Sequence, residues 1–136
     1  MDWKIELICV PVTDLDRAKE FYGERLGFTV DLDSQGKGGE GFRIIQFTPP
    51  GSACSISVGT GITTAEPGSL QGLQVVVADI EAARKQLLER GVEASNVQHF
   101  ENGEMVDGPG ERWNSFVYFS DPDGNGWVLQ ERPADA

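Results

Sequence analysis

The stretch Val10-Pro11-Val12-Thr13-Asp14-Leu15-Asp16-Arg17-Ala18 decides how the rest of the chain is read, because the chain carries it twice. Val12 to Ala18 aligns with Val77-Ala78-Asp79-Ile80-Glu81-Ala82-Ala83 at an offset of 65, and the offset still holds where Glu24-Arg25 meets Glu89-Arg90. The two halves also close alike. Pro49-Pro50-Gly51 precedes the run Cys54 to Val58, and Pro122-Asp123-Gly124 precedes the run Trp127 to Glu131. Two copies are too few for a solenoid, so they read as a duplicated supersecondary unit within one domain.

Each copy predicts a strand, a helix and three further strands. The leading strands are Ile5 to Val12 and Gly72 to Val77, the second nearly all apolar and β-branched, as suits a buried strand. In copy one, Thr13 and Asp16 resemble a capping box, and Leu15, Ala18, Tyr22 and Leu26 share one helical face until Gly27 stops the helix. In copy two, Asp79 caps, Ile80, Ala83, Leu87 and Leu88 face inward, and Gly91 is the stop. The remaining strands are Phe28 to Asp33, Phe42 to Thr48 and Cys54 to Val58, then Val92 to Phe100, Asn114 to Ser120 and Trp127 to Arg132. Asp123-Gly124 is a strong turn signal. Ser34 to Gly41, which includes Gly36-Lys37-Gly38-Gly39, and Gly59 to Gln71 read as exposed connections. Glu101 to Trp113 is long and polar, as a binding loop would be. The expectation is an α+β fold of two βαβββ units in a single domain spanning 1–136, with unit one about 1–59 and unit two about 72–132.

Composition narrows the function classes. The 136 residues suffice for one domain with a real core. A net charge of -11 repels phosphate backbones, which argues against nucleic acid and favours a cationic ligand, although charge speaks first to solubility. No apolar run approaches the ~20 residues of a membrane span. The start, Met1-Asp2-Trp3-Lys4, lacks a signal-peptide pattern, so a cytoplasmic location is expected. Cys9 and Cys54 are too few for a disulfide framework and form no CxxC pair, so they read as buried thiols. The nucleotide-cradling glycine motifs are absent.

The opening motif Val10 to Ala18, with Phe21-Tyr22 and Leu26-Gly27-Phe28, resembles the start of a vicinal-oxygen-chelate protein. This is the superfamily of glyoxalases, bleomycin-resistance proteins and extradiol dioxygenases. Asp121-Pro122-Asp123-Gly124-Asn125 resembles its closing hairpin, and the likeness covers nearly the whole chain. The resemblance implies paired βαβββ units whose strands curl around a cavity, and a homodimer. It also implies a divalent metal held by His, Glu or Gln from the first and last strand of each unit. Those positions fall on Leu7, seven residues before Asp14, on its twin Gly72, and on Ser55 and Val128, each four residues after the closing glycine. Leu, Gly and Val offer no donor and Ser is a poor one, so no metal and no other cofactor is expected.

Strand side chains alternate at period two, so a two-residue slip brings up Cys9, Ser57, Gln74 and Gln130, where neutral amides bind metals weakly. The lone histidine, His99, lies near Glu101 and Glu104 but away from these positions, and reads as a surface residue. The inferred wall is therefore Leu7, Cys9, Ser55, Ser57, Gln74, Val128 and Gln130, with Trp113 beside the long loop as the aromatic most suited to binding. Phe116 and Trp127 read as core, and Tyr118 as a further stacking surface of unknown phase. Apolar surface with a few neutral hydrogen-bonding groups is the make-up of a small-molecule pocket.

The reading is thus a metal-independent protein that binds a small-molecule ligand, resembling the bleomycin-resistance branch and sequestering a cationic or aromatic compound. The alternative is a lyase, isomerase or dioxygenase-like enzyme. It would use a displaced metal site, or metal-free acid/base chemistry through Cys9 or the carboxylates of Glu104, Asp107 and Glu111. Sequence alone leaves open whether the protein is an enzyme. A third option is a structural subunit with no ligand.

Overall fold

The computed structural model describes residues 1–35 and 41–136. The Gly36-Lys37-Gly38-Gly39 connection lies outside the described residues. The chain forms two compact units. The first comprises Met1–Leu70 with Pro122–Asn125, and the second Gln71–Asp121 with Gly126–Ala136.

In the first unit, β1 (Leu7–Cys9) leads into helix α1 (Leu15–Lys19), followed by β2 (Thr29–Ser34), β3 (Ile44–Thr48) and β4 (Ser55–Gly59). The sheet order is β1-β4-β3-β2, with β1 parallel to β4 and the other pairs antiparallel. The expected capping box does not form. Asp14 caps α1 by accepting from the Arg17 N–H at 3.0 Å. Thr13 instead donates its hydroxyl to Asp123 at 2.7 Å, a stronger charge-assisted partner. Beyond Lys19 the helix widens into a π-type turn, Glu20–Arg25. That wider turn brings the consecutive residues Phe21 and Tyr22 both inward, at 6% and 0% exposure. Tyr22 then packs on Phe21, Phe28 and Phe47 at ring separations of 5.0, 6.1 and 5.6 Å, and this aromatic knot anchors the helix to one face of the sheet.

The first unit also contains the closing turn. Asn125 is fully buried, donates to the Pro11 carbonyl at 2.8 Å and accepts from the Leu70 N–H at 3.1 Å. Asp123 holds Thr13 and lies 3.2 Å from the Arg17 guanidinium. The two stretches that carry the resemblance are therefore bonded to each other.

The second unit repeats the order: β5 (Leu73–Val77), helix α2 (Ile80–Glu89), β6 (Gln98–Glu101), β7 (Glu104–Asp107), β8 (Phe116–Ser120) and β9 (Gly126–Glu131). Its sheet runs β5-β9-β8-β6-β7, and β5 and β9 are parallel as β1 and β4 are. Asp79 caps α2 as expected, accepting from the Ala82 N–H at 3.1 Å. Ile80 and Leu87 are buried, but Leu88 is 43% exposed, because Leu87 already fills the inward position at the last turn. Two strand expectations change. Val92 to Phe100 is a strand only from Gln98, and Glu101 to Trp113 is not one loop but begins with the second arm of a hairpin. The architecture is α+β, built of two βαβββ-like units with one added strand, β7.

Candidate ligand-binding site

Registry sorts the side chains of the second sheet into two faces. Leu73, Trp127, Leu129, Val117 and Phe119 are buried on the face that α2 packs against. Trp127 is thus core, as the sequence suggests, stacked on Phe119 at 6.1 Å. The opposite face stays open within the unit and carries two rows. Gln74, Val128 and Tyr118 stand abreast across β5, β9 and β8, and Val76, Gln130, Phe116 and Gln98 form the next row. Phe116 therefore lies on the open face rather than in the core, with its ring 5.8 Å from the half-exposed Phe100.

Apart from Asp107, which stands beside Gln98, the polar groups of these rows are neutral and fixed in direction. Gln74 Nε2 donates to Gln130 Oε1 at 2.8 Å, and Gln130 Nε2 donates to the Trp113 carbonyl at 2.8 Å. Gln130 thereby pins Trp113, which sits at φ 63° with 43% of its surface exposed. A pocket of about 340 Å³ opens at one end of the face, lined by residues that include Gly72, Tyr118, Trp127 and Val128. Burial pushes the Tyr118 phenol pKa above its ordinary value, so the ring presents a neutral hydroxyl. The Gln71 side chain lies against Gly126, where a Cβ would meet its Oε1 at 2.1 Å, and this close approach shapes the pocket mouth.

The corresponding face of the first sheet is more enclosed, with Ser55 and Ser57 at 6% and 3% exposure. Leu7 stands beside Ser55, and Cys9 beside Ser57 and Gln46. Cys9 and Cys54 are half-buried and free, less enclosed than expected, and Ser57 Oγ lies 3.8 Å from Cys9 Sγ. A polar chain that the sequence did not suggest ends here. Thr48 donates its hydroxyl to the Asp31 carboxylate, and Ser55 Oγ lies 2.6 Å from Thr48 Oγ1. Because the Thr48 proton is committed to Asp31, Ser55 must donate to Thr48. Ser55 Oγ is then left with acceptor capacity only. Asp31 occupies the irregular step of the β2–β3 register between Val30 and Leu32, a displacement invisible to a period-two reading.

These positions do not fit a divalent metal. The β5–β9 register puts Gln74, not Gly72, directly beside Val128. Even with that correction the four positions hold Leu7, Ser55, Gln74 and Val128, which include no imidazole, thiolate or carboxylate. Among the described residues no group of three or more His, Cys, Asp or Glu side chains gathers. His99 is better enclosed than a surface residue. Its Nδ1 donates to the Gly108 carbonyl at 2.7 Å, and its Nε2 lies 3.3 Å from Glu101. Glu104 is exposed on β7, and Asp107 takes a 3.3 Å bond from Gln98.

Residues 4–129 match the family described as Glyoxalase/Bleomycin resistance protein/Dioxygenase superfamily. The chain belongs to this superfamily. Among solved structures, this superfamily member is similar to TnmS3, an antibiotic binding protein from Streptomyces sp. CB03234, at 35% identity over 96% of this chain and 97% of that one, with a TM-score of 0.76. It is also similar to a glyoxalase/bleomycin resistance protein from the same organism, at 36% identity over 93% and 99% of the two chains and a TM-score of 0.72. A superfamily member from Sphaerobacter thermophilus DSM 20745 shares 27% identity over 96% and 98%, with a TM-score of 0.75. No curated protein matches the chain. No helix among the described residues is long and apolar enough to cross a membrane.

Proposed function

We propose that this superfamily member is a metal-independent binding protein for a small aromatic compound bearing a cationic or hydrogen-bond-donating group. The observation that carries the reading is the open face of the second sheet, where Tyr118 and Val128 line a 340 Å³ pocket, Gln74 stands abreast of them, and the Gln130 amide holds Trp113 in place. Aromatic rings supply stacking surface, the amides fix orientation, and the Asp107 carboxylate beside Gln98 puts a negative charge on the same face. The 35% identity to a protein described as antibiotic binding supports the same reading. The net charge of -11 favours a cationic ligand.

A second reading rests on the Asp31–Thr48–Ser55 chain, which leads a proton from Ser55 toward a carboxylate. Metal-free acid/base chemistry of a lyase or isomerase kind needs such a path.

A thermal-shift panel of planar aromatic amines tests the first reading. A compound present at about 100 times its Kd stabilises the protein by ~2.7 kcal/mol, and the stabilisation falls to about half in Gln130→Leu. A panel without any shift overturns it. Stoichiometric Ni, Zn, Mn or Fe surviving dialysis of the purified protein overturns metal independence, and conversion of a bound compound to product moves the assignment to the second reading.

A further inference from the structure

A one-way chain of hydrogen bonds crosses the open face of the second sheet and ends on an oxygen. It starts at the Trp113 carbonyl, which is firmly held. Asn114, the next residue, bonds the Phe100 main chain with both ends of its amide, Oδ1 accepting from the N–H at 2.9 Å and Nδ2 donating to the carbonyl at 3.0 Å. The Asn114 N–H bonds the Glu111 carbonyl at 3.0 Å. A main-chain carbonyl only accepts. The Gln130 group that meets the Trp113 carbonyl at 2.8 Å is therefore Nε2, which turns Oε1 of the same amide toward Gln74. That oxygen also only accepts, so Gln74 must present Nε2 to it, at 2.8 Å. Each amide nitrogen is thus held through one proton by a protein oxygen. Gln74 Oε1 is left as the end of the chain, on an exposed side chain and with no hydrogen bond among the described residues.

We propose that Gln74 Oε1 is the specificity-determining acceptor of this face and selects, among planar aromatic cations, those whose ring amines carry N–H groups. This rests on the binding reading above and adds to it the direction in which hydrogen bonds run. Gln74 stands directly beside Val128, which lines the 340 Å³ pocket, and Tyr118 flanks Val128 on the other side. Neighbouring strands lie about 4.8 Å apart, so Gln74 and Tyr118 are separated by roughly 10 Å across an apolar centre, about the width of three fused rings. An amide free of Gln130 could turn either end to a ligand. Held as it is, the Gln74 amide offers an acceptor that needs no further ordering, while a ligand bringing only methyl groups leaves Oε1 desolvated and unpaired. Asp107, beside Gln98 on the same face, attracts a cation whether or not it carries amine N–H groups, so charge alone does not make this choice.

Proflavine and acridine orange separate these effects. Both are planar acridines with a single positive charge at neutral pH, and they differ in carrying amino or dimethylamino groups on the ring. Titration calorimetry of each against the full chain gives a preference for proflavine, taken as the ratio of the two Kd values, in wild type, Gln74→Leu and Gln74→Glu. Circular dichroism confirms that each variant is folded, and the exposed position of Gln74 makes loss of fold a minor risk. Gln74→Leu removes the acceptor and should lower the preference about ten-fold, the worth of one hydrogen bond. Gln74→Glu supplies oxygen acceptors without an N–H, so it should keep the preference at the wild-type level or above. Its added charge acts on both cations alike and cancels in the ratio. If both compounds bind but the preference is the same in Gln74→Leu as in wild type, or if Gln74→Glu loses it, the proposal is overturned and the binding reading stands. If neither compound binds the wild type, the binding reading falls and the proposal falls with it.

Discussion

Replacing Asn125 probes the bond between the two recognition stretches directly. Its side chain is fully buried and satisfies two main-chain groups, the Pro11 carbonyl at 2.8 Å and the Leu70 N–H at 3.1 Å. In Asn125→Ala the Pro11 carbonyl keeps the Gly68 N–H at 3.1 Å, but the Leu70 N–H loses its partner. Two lost hydrogen bonds at about 1 kcal/mol each, with a desolvated donor left bare, give an expected loss of about 2–3 kcal/mol. Asn125→Asp keeps the shape but replaces the donor to Pro11 with a carboxylate oxygen. At neutral pH this sets a buried charge against a carbonyl and costs more than the alanine, on the order of 3–5 kcal/mol. Protonation restores the donor. The introduced carboxyl is therefore held above its unfolded pKa, the folded state binds more protons, and the variant regains stability as pH falls. Equilibrium urea unfolding followed by circular dichroism, at neutral and mildly acidic pH, measures both effects. A loss below ~0.5 kcal/mol in Asn125→Ala, or an Asn125→Asp deficit that does not shrink on acidification, would refute the reasoning.

The Arg43 guanidinium, and after it Lys19, hold the Asp33 carboxyl well below the usual carboxylate range. This depressed pKa means that the stabilisation is complete above the ordinary value of 3.8 and fades only as pH falls toward the folded value. The stability gap between wild type and Asp33→Asn should accordingly be flat from neutral pH down to about 3.8 and close as the pH falls further, as measured by acid titration of the unfolding midpoint. Gly68 sits at φ +80° with the Asp123 carbonyl oxygen 2.0 Å from where a Cβ would stand. Gly68→Ala should lose more than ~2 kcal/mol in the same urea assay. Gly61→Ala, at φ +68° with open space around it, should lose about 1 kcal/mol. Gln130→Leu removes bonds to part-exposed groups, so its stability cost should stay under ~1 kcal/mol. Calorimetric affinity for the aromatic compound found in the panel should meanwhile fall about ten-fold, the loss of one well-placed hydrogen bond.

Much of this molecule is legible in the repeat. The paired motifs at Val12 and Val77 place both helices, and the Asp79 cap, the Gly91 stop and the burial of Trp127 follow local rules. What the sequence concealed depends on distant partners or on broken periods. Thr13 is well placed for a capping box until Asp123, 110 residues away, takes its hydroxyl. Val92 and Val97 are both buried, yet an odd separation cannot keep two residues on one face of a strand, which is why pairing begins only at Gln98. The β6–β7 hairpin did carry a signal. Asn102-Gly103, at φ 53° and 81°, is the dipeptide that favours a tight two-residue turn, but it lay inside a stretch whose polarity suggested a loop. The period-two count put Gln74 with Gln130, and Ser55 with Ser57, on one face of their strands, as the registers do. It missed Asp31, because the irregular step in β2 breaks that count, and it put Phe116 on the wrong side.

The closing turn has a consequence for biosynthesis. Pro122–Asn125 lies in the first unit by its contacts, although it is made only after most of the second unit. A nascent polypeptide halted near Leu70 would expose the Leu70 amide and the Thr13 hydroxyl with their eventual partners still untranslated. Loop closure across more than 100 residues also slows the last step of assembly. The amino-terminal half must therefore wait, incompletely bonded, for the ribosome to deliver its final piece. During that interval, holdase chaperones would have most to gain by engaging it.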